Sequence, residues 1–446
     1  MNITEQFLLS IEAVAEKEIP QSAIVRAKRS LLDYVAVTTA GAKANEAKLK
    51  QYFIEADPEP GNSTLIGMGE KTNLKEAVFL NGLNAHALDF DDGTNTGIIH
   101  LGSPIFSVLI PLAEKHQISI DKMLSAAIVG YETSFTMAVS IQPKHKIMGY
   151  HATGTCGVLG IALAVSYMLN FSPAERRNAF AIAAVSATGM LKVLDDESEL
   201  KPYNVAKSAL LGLIATQMAK AGFIGHHDVL GGGRGYLKMM TGSDNIALRK
   251  PLLDGTYAIE KSYTKPYAAC RYCHPAIEAA IILRKKVDAQ KIQDIIVRTY
   301  DLAVSGHEHT EIKGTSSAKM SIPYGVAVGL LEGKAGLTEY DEEHVNDDTI
   351  LDLVKKIRVK ADTVISAQFP KVQTAVVTIR LKGGKEVSEQ VDFPKGEPEN
   401  PMSDDEFVER FMGLLYYAGR SAAEGSRIIE MCNEESNNVT DVCAIV

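Results

Sequence analysis

The chain has 446 residues, too many for one ordinary domain, and its 46% hydrophobic and 23% charged side chains are a globular composition that can build a large core. A formal net charge of −9, with the acids spread along the chain, argues against nucleic acid and against a membrane surface as partners. Five Cys, three isolated and two close together (Cys270, Cys273), form no disulfide framework, which points to a reducing, cytoplasmic location.

The N-terminus, MNITEQFLLSIEAVAEKEIP, carries acids early and lacks the basic-then-apolar order of a signal peptide. From Ser22, SAIVRAKRSLLDYVAVTTAG repeats apolar residues at helical spacing and predicts a helix that stops at Gly41. Ala85 to Asp92 reads AHALDFDD and is followed by His100, so three carboxylates and two imidazoles fall within 15 residues. Carboxylates this close shift one another's pKa, and a His beside them can act as acid or base. The spacing fits no standard metal site, and the apolar flanks ALDF and IIHLGSPIF imply burial; the alternative is a solvated acidic loop. Ser103-Pro104 reads as an N-cap and first helical residue, and Pro111 as a kink or end of that helix.

In GYHATGTCG, His151 opens a helix of small residues. Backbone donors there favour an anion, or the His is simply the cap of a tightly packed helix. Gly157 to Leu169 is the most apolar run, too short for a bilayer and read as a buried helix. Ser172-Pro-Ala-Glu175 is a capping box. In LKPYNVAK, Pro202 makes Lys201 a residue just before a helix, with Lys207 further in. Such lysines can clamp a carboxylate or lie solvated. Gly231 to Gly235 lacks the ending of a phosphate loop and reads as a linker.

Near residue 256 the pattern changes. Cys270-Arg-Tyr-Cys-His274 matches the c-type haem attachment pattern, but a haem would require export and a second axial ligand. A zinc site would want a second Cys pair. The residues read instead as a turn presenting His274 at the start of a helix through Val287. His307-Glu308-His309 reads as an exposed turn. DIIVRTY (294–300), 357–360 and TAVVTIRL (374–381) read as strands, the last entering a hairpin through Lys382-Gly-Gly-Lys385. After the connector FPKGEPENP, a second capping box at Ser403–Glu406 opens a helix that stops at Gly419. The pattern predicts a large all-α domain from both chain ends (1–255 and 400–446) with a smaller α+β domain (256–395) inserted.

Taken together, NGLNAHALDFDD, the His before GSP, GYHATGTCGVLG, LKPYNVAKSA, YTKPYAACRYCHPAIEAA and KMSIPYGVAVGLL resemble the MmgE/PrpD family, in family order over nearly the whole chain. That family includes 2-methylcitrate dehydratases, cis-aconitate decarboxylases and iminodisuccinate epimerases. The resemblance implies a helical domain with an α+β lid domain, a homodimer, no metal and no cofactor. It also implies acid–base chemistry beside a carboxylate of a small polycarboxylate: a lyase, or alternatively an epimerase. It assigns Asp89, His100, His151, Lys201 and His274 to catalysis, with Tyr324 joining them, in a pocket that the lid completes; Thr94, Lys207 and Arg271, in or beside the matching segments, are with Tyr324 the candidate substrate contacts. The chain departs from decarboxylases of this type in having Gly93 then Thr94 after DFDD, where they carry Thr at once, and in one extra residue before His100. Two readings from other classes remain at this point: a c-type haem protein, and a non-catalytic polycarboxylate-binding protein.

Overall fold

Helix α1 spans Gln21–Ala44 and so runs past Gly41. Gly41 is there for packing. A Cβ built on it would lie 1.9 Å from the Asn84 carbonyl oxygen of α2 (Leu74–His86), so only glycine lets the two helices approach this closely. This computed structural model describes residues 1–194, 198–252, 254–434 and 437–446. Between α1 and α2 it has a short antiparallel pair, β1 (Ser63–Leu65) and β2 (Glu70–Thr72), within a stretch the sequence pattern assigns to helix.

Helix α3 (Gly102–His116) begins one residue before Ser103 and has no side-chain cap. The Ser103 hydroxyl donates instead to Asp91, at 2.6 Å. Pro111 sits inside α3 without ending it. Helix α4 (Ile120–Ile141) is long and apolar enough to cross a membrane by composition, yet 83% of that window is buried within the fold. It packs on α5 (Gly157–Met168), the helix expected to be buried. Gly130 and Gly160 make the approach possible, since a Cβ on Gly160 would lie 2.5 Å from the Gly130 carbonyl oxygen. Val158, Leu159, Ile161, Leu163, Val165 and Met168 of α5 are all buried, each stabilising the unit by about 1.5–3 kcal/mol. The Ser172–Glu175 box caps α6 (Pro173–Val185) as its sequence specifies. Helix α7 (Lys201–Lys220) starts at Lys201 itself.

The chain divides into two compact units: Met1–Ser262 with Phe407–Val446, and Tyr263–Glu406. In the second, α8 (His274–Arg284) and α9 (Ile322–Leu331) lie with a four-stranded sheet of order β4-β3-β5-β6. The strands are β3 (Ile292–Thr299), β4 (Ile357–Ala361), β5 (Ala375–Leu381) and β6 (Glu386–Val391). Strand β3 pairs parallel with β4 (Val297 opposite Val359) and antiparallel with β5 (Val297 opposite Val377). The β5–β6 hairpin turns through Gly383 and Gly384, both at positive φ (110° and 86°), the conformation glycine adopts without penalty. His307 is buried against the Tyr272 ring rather than exposed, because its Nδ1 bonds the Ser305 carbonyl and its ring fills an aromatic cluster. The second capping box holds as read, with reciprocal Ser403 and Glu406 hydrogen bonds opening α10 (Asp404–Tyr417).

Candidate active site

Helix α2 ends at His86, and the next residues fold back to reach α3. Asp89 takes φ +50° and Ile98 φ +50°, a conformation unusual for any residue but Gly and for a β-branched one a marked outlier. Two strained positions flanking one loop mean that the surrounding contacts over-determine its shape. Those contacts are specific. Asp92 accepts from the Gly102 amide at the start of α3 (2.8 Å) and from the Tyr131 hydroxyl (2.6 Å). Arg410, from the C-terminal segment, donates to the Phe90 carbonyl (2.8 Å), covers the Phe90 ring and pairs with Asp33.

Asp91 is the hub. One oxygen lies 2.8 Å from His86 Nδ1; the other accepts from Ser103 and lies 3.3 Å from His100 Nδ1. Burial opposes its charge, but His100 and His86 outweigh that and hold the carboxyl well below its usual range. Asp92 is pushed up to about 6 by burial, which outweighs its hydrogen bonds from Tyr131 and Gly102 and the charge of Arg26. The His100 Nδ1 also meets the Asp92 carbonyl oxygen at 2.8 Å. His86 and His100 stand edge to face, 4.5 Å between centroids, with His151 6.4 Å from His86. Burial lowers His86 to about 4 and His151 well below its ordinary value, so both rings are neutral near pH 7. Lys201 Nζ lies 2.8 Å from Asp89 Oδ1. The His100 amide donates to Thr153, which ties the loop to the segment carrying His151.

The first unit therefore brings Asp89, His100, His151 and Lys201 together. Thr94 is buried in the same loop, its Oγ1 without a hydrogen-bond partner among the described residues. Lys207 reaches Asn204 Oδ1 at 3.3 Å, and burial lowers its pKa. Arg271, His274 and Tyr324 belong to the second unit. There Arg271 pairs with Glu397 and leaves Nε and Nη1 unpartnered among the described residues. His274 Nε2 donates to the Ala269 carbonyl (3.1 Å), and the Tyr324 hydroxyl to the Glu339 carbonyl (2.8 Å).

Donor atoms of His86, Asp89, Asp91 and His100 lie within 4.8 Å of one another, a grouping that could hold a metal. The Lys201 ammonium already occupies Asp89 Oδ1, and His100 Nδ1 is engaged as a donor to a backbone carbonyl, so two of the four groups meet another partner at the atoms nearest the cluster. Sequence reasoning gives no separate role to His86, Asp91, Tyr131 or Asn204. A signal for Asn204 is present, since it falls three residues after Lys201 and three before Lys207, on one helix face.

The MmgE/PrpD N-terminal domain model matches residues 6–249 and the C-terminal domain model residues 267–435. Among curated relatives, the cis-aconitate decarboxylase of Aspergillus terreus is 25% identical over 444 residues, 94% of this chain and 89% of that protein. Those of Mus musculus (25% over 427 residues; 92% and 86%) and Homo sapiens (24% over 439 residues; 92% and 87%) are similar to the same extent. With both family domains matched in order over most of its length, this chain belongs to the MmgE/PrpD family.

Proposed function

We propose that the protein is a lyase acting on a small polycarboxylate, with decarboxylation of cis-aconitate or a close analogue as its reaction. The observation that carries this reading is the joining of Lys201, Asp89, His100 and His151 in one buried cluster of a chain whose full-length relatives are cis-aconitate decarboxylases. In this reading a substrate carboxylate binds the Lys201 ammonium, which locally offsets the net charge of −9. The carbon–carboxylate bond breaks and releases CO₂. The electron pair left on carbon is delocalised toward a neighbouring carboxylate, where Lys201 and a His151 N–H stabilise it. His100, having taken up a proton from solvent, then delivers it to carbon and returns to neutral.

The proposal extends to His274 as an acid–base group and to Thr94, Lys207, Arg271 and Tyr324 as substrate contacts. His274→Ala should lower turnover by about 10²–10⁴-fold; unchanged turnover would remove His274 from the set. A homodimer in the cytoplasm belongs to the same reading, and five buried cysteines spaced as no disulfide framework support a reducing compartment. CO₂ release from cis-aconitate by purified protein tests the function directly. Water addition or loss, or inversion at carbon, would replace decarboxylation with another reaction of the family. Binding of polycarboxylates without any turnover would make the protein a receptor.

A further inference from the structure

Three imidazoles meet in the first unit, and each has its Nδ1 fixed by a neighbour. For His86 the neighbour is the Asp91 carboxylate, 2.8 Å away. For His100 it is the Asp92 backbone carbonyl, also 2.8 Å away. Both neighbours only accept, so in both rings the proton sits on Nδ1 and Nε2 carries the lone pair.

His151 differs. Its Nδ1 lies 3.2 Å from Asn204 Nδ2, and an amide nitrogen only donates. Two further contacts fix which end of the Asn204 amide is nitrogen. Nδ2 lies 3.3 Å from the Met190 carbonyl oxygen, and Oδ1 lies 3.3 Å from the Lys207 ammonium. A flipped amide would set two oxygens against each other and an NH₂ against a cation. The His151 Nδ1 therefore accepts, and its proton sits on Nε2. Asn204 is 2% exposed, so water does not compete for these bonds. The His86 Nε2 is buried without a hydrogen-bond partner among the described residues, and the hydrogen bonds made by the His100 and His151 rings there run through Nδ1.

We propose that Asn204, itself oriented by Lys207, is a positioning residue that holds His151 in the tautomer opposite to that of His86 and His100. Across the three rings the cluster then holds one Nε2–H donor and two Nε2 lone pairs. The inference rests on the proposed acid–base reading and deepens it. His151 is the neutral donor to the oxygen on which negative charge develops, and His100 is the ring free to take up and deliver a proton. Lys207, a candidate substrate contact, acts here through Asn204.

The experiment is nitrogen NMR of the full chain labelled with ¹⁵N-histidine, the ring signals of His151 being assigned by their loss in His151→Gln. The expected pattern in the unsubstituted protein is a protonated Nε2 and bare Nδ1 for His151, and the reverse for His86 and His100. Asn204→Asp places an acceptor at His151 Nδ1 and should move that proton to Nδ1, lowering kcat by about 10²–10⁴-fold while KM changes little. Lys207→Arg, which keeps a cation on the amide oxygen, should retain the His151 signature, and Lys207→Met should weaken it. A His151 protonated on Nδ1 in the unsubstituted protein overturns the inference, and so does an Asn204→Asp variant whose His151 signals are unmoved. The ring signals do not depend on turnover. Expected tautomers in a protein inactive on every polycarboxylate would uphold this inference and sink the proposed function; the wrong tautomers in an active enzyme would do the opposite.

Discussion

The Asp91 carboxylate holds His86 Nδ1 at 2.8 Å with one oxygen and approaches His100 Nδ1 at 3.3 Å with the other, so a single buried charge aligns two imidazoles. Asp91→Asn keeps the shape and removes that charge. Turnover should fall by about 10²–10⁴-fold, with about 1.5–3 kcal/mol lost from stability because hydrogen bonds to an ionised group go with it. Steady-state rates and a denaturant titration of the same preparation check both figures. A variant with normal turnover would mean that neither imidazole depends on Asp91.

The Lys201–Asp89 pair separates binding from folding. Its side chains are 17% and 11% exposed, so removing the ammonium leaves a largely buried carboxylate in poorer company. Lys201→Met should raise KM, lower kcat and destabilise by up to about 3–5 kcal/mol. Adding Asp89→Asn should recover part of the stability and none of the activity. If the double variant recovered turnover, the ammonium would have only a structural role.

Burial holds His86 and His145 at about 4, against 6.5 for an ordinary imidazole. The unfolded chain therefore binds protons first as pH falls, and the stability these rings contribute is present above about 6.5 and lost progressively toward 4, about 3 kcal/mol for each. His151, also lowered by burial, acts in the same sense. Asp92, raised from 3.8 to about 6, opposes them, losing stability as pH rises through that interval. Asp33, Glu132 and Glu278, raised by burial too, act with Asp92, so the drop in stability that His145 itself causes between pH 7 and pH 5 is read by comparison with a variant. In His145→Gln, whose amide can still meet the Thr155 hydroxyl, the change in stability over that interval, from urea titrations, should be more favourable by about 2 kcal/mol. An identical change in both proteins would show that His145 is not held neutral.

What can be read in the sequence is local. The Ser172–Glu175 and Ser403–Glu406 boxes depend on residues three apart and form as read. Strands β3 to β6 announce themselves by alternation and by the Gly-Gly turn. Gly41 and Ser103 mislead because their reasons lie far along the chain, in the Asn84 carbonyl and the Asp91 carboxylate. Strands β1 and β2, three residues each, are too short to show a period. In the candidate site, clustered residue types draw attention to Asp89 and His100, whereas His151 and Lys201 gain a role only through the family resemblance. Tyr131 is invisible, because one tyrosine in an apolar helix looks like any other core residue until Asp92 is found 2.6 Å from its hydroxyl.

Close packing of the helices gives a test independent of chemistry. Gly41→Ala would drive a methyl group into the Asn84 carbonyl and should cost about 1–3 kcal/mol. Gly413 lies inside α10, and a Cβ added there would meet nothing within 4 Å, so its substitution by Ala should gain up to about 1 kcal/mol. Thermal melts of the two variants should move in opposite directions; a Gly41→Ala protein as stable as its parent would refute the close α1–α2 approach.

Everything proposed for the site reduces to proton handling at a carbon beside a carboxylate. The decisive measurement is proton NMR in D₂O of the purified protein with cis-aconitate and a panel of C4 to C7 polycarboxylates. At least one acid should turn over, with CO₂ released and one deuterium placed on a product carbon over which the released electron pair is delocalised, and that signal should vanish in His100→Ala. No exchange and no turnover with any acid, from protein that is folded and binds them, would refute proton handling at this site.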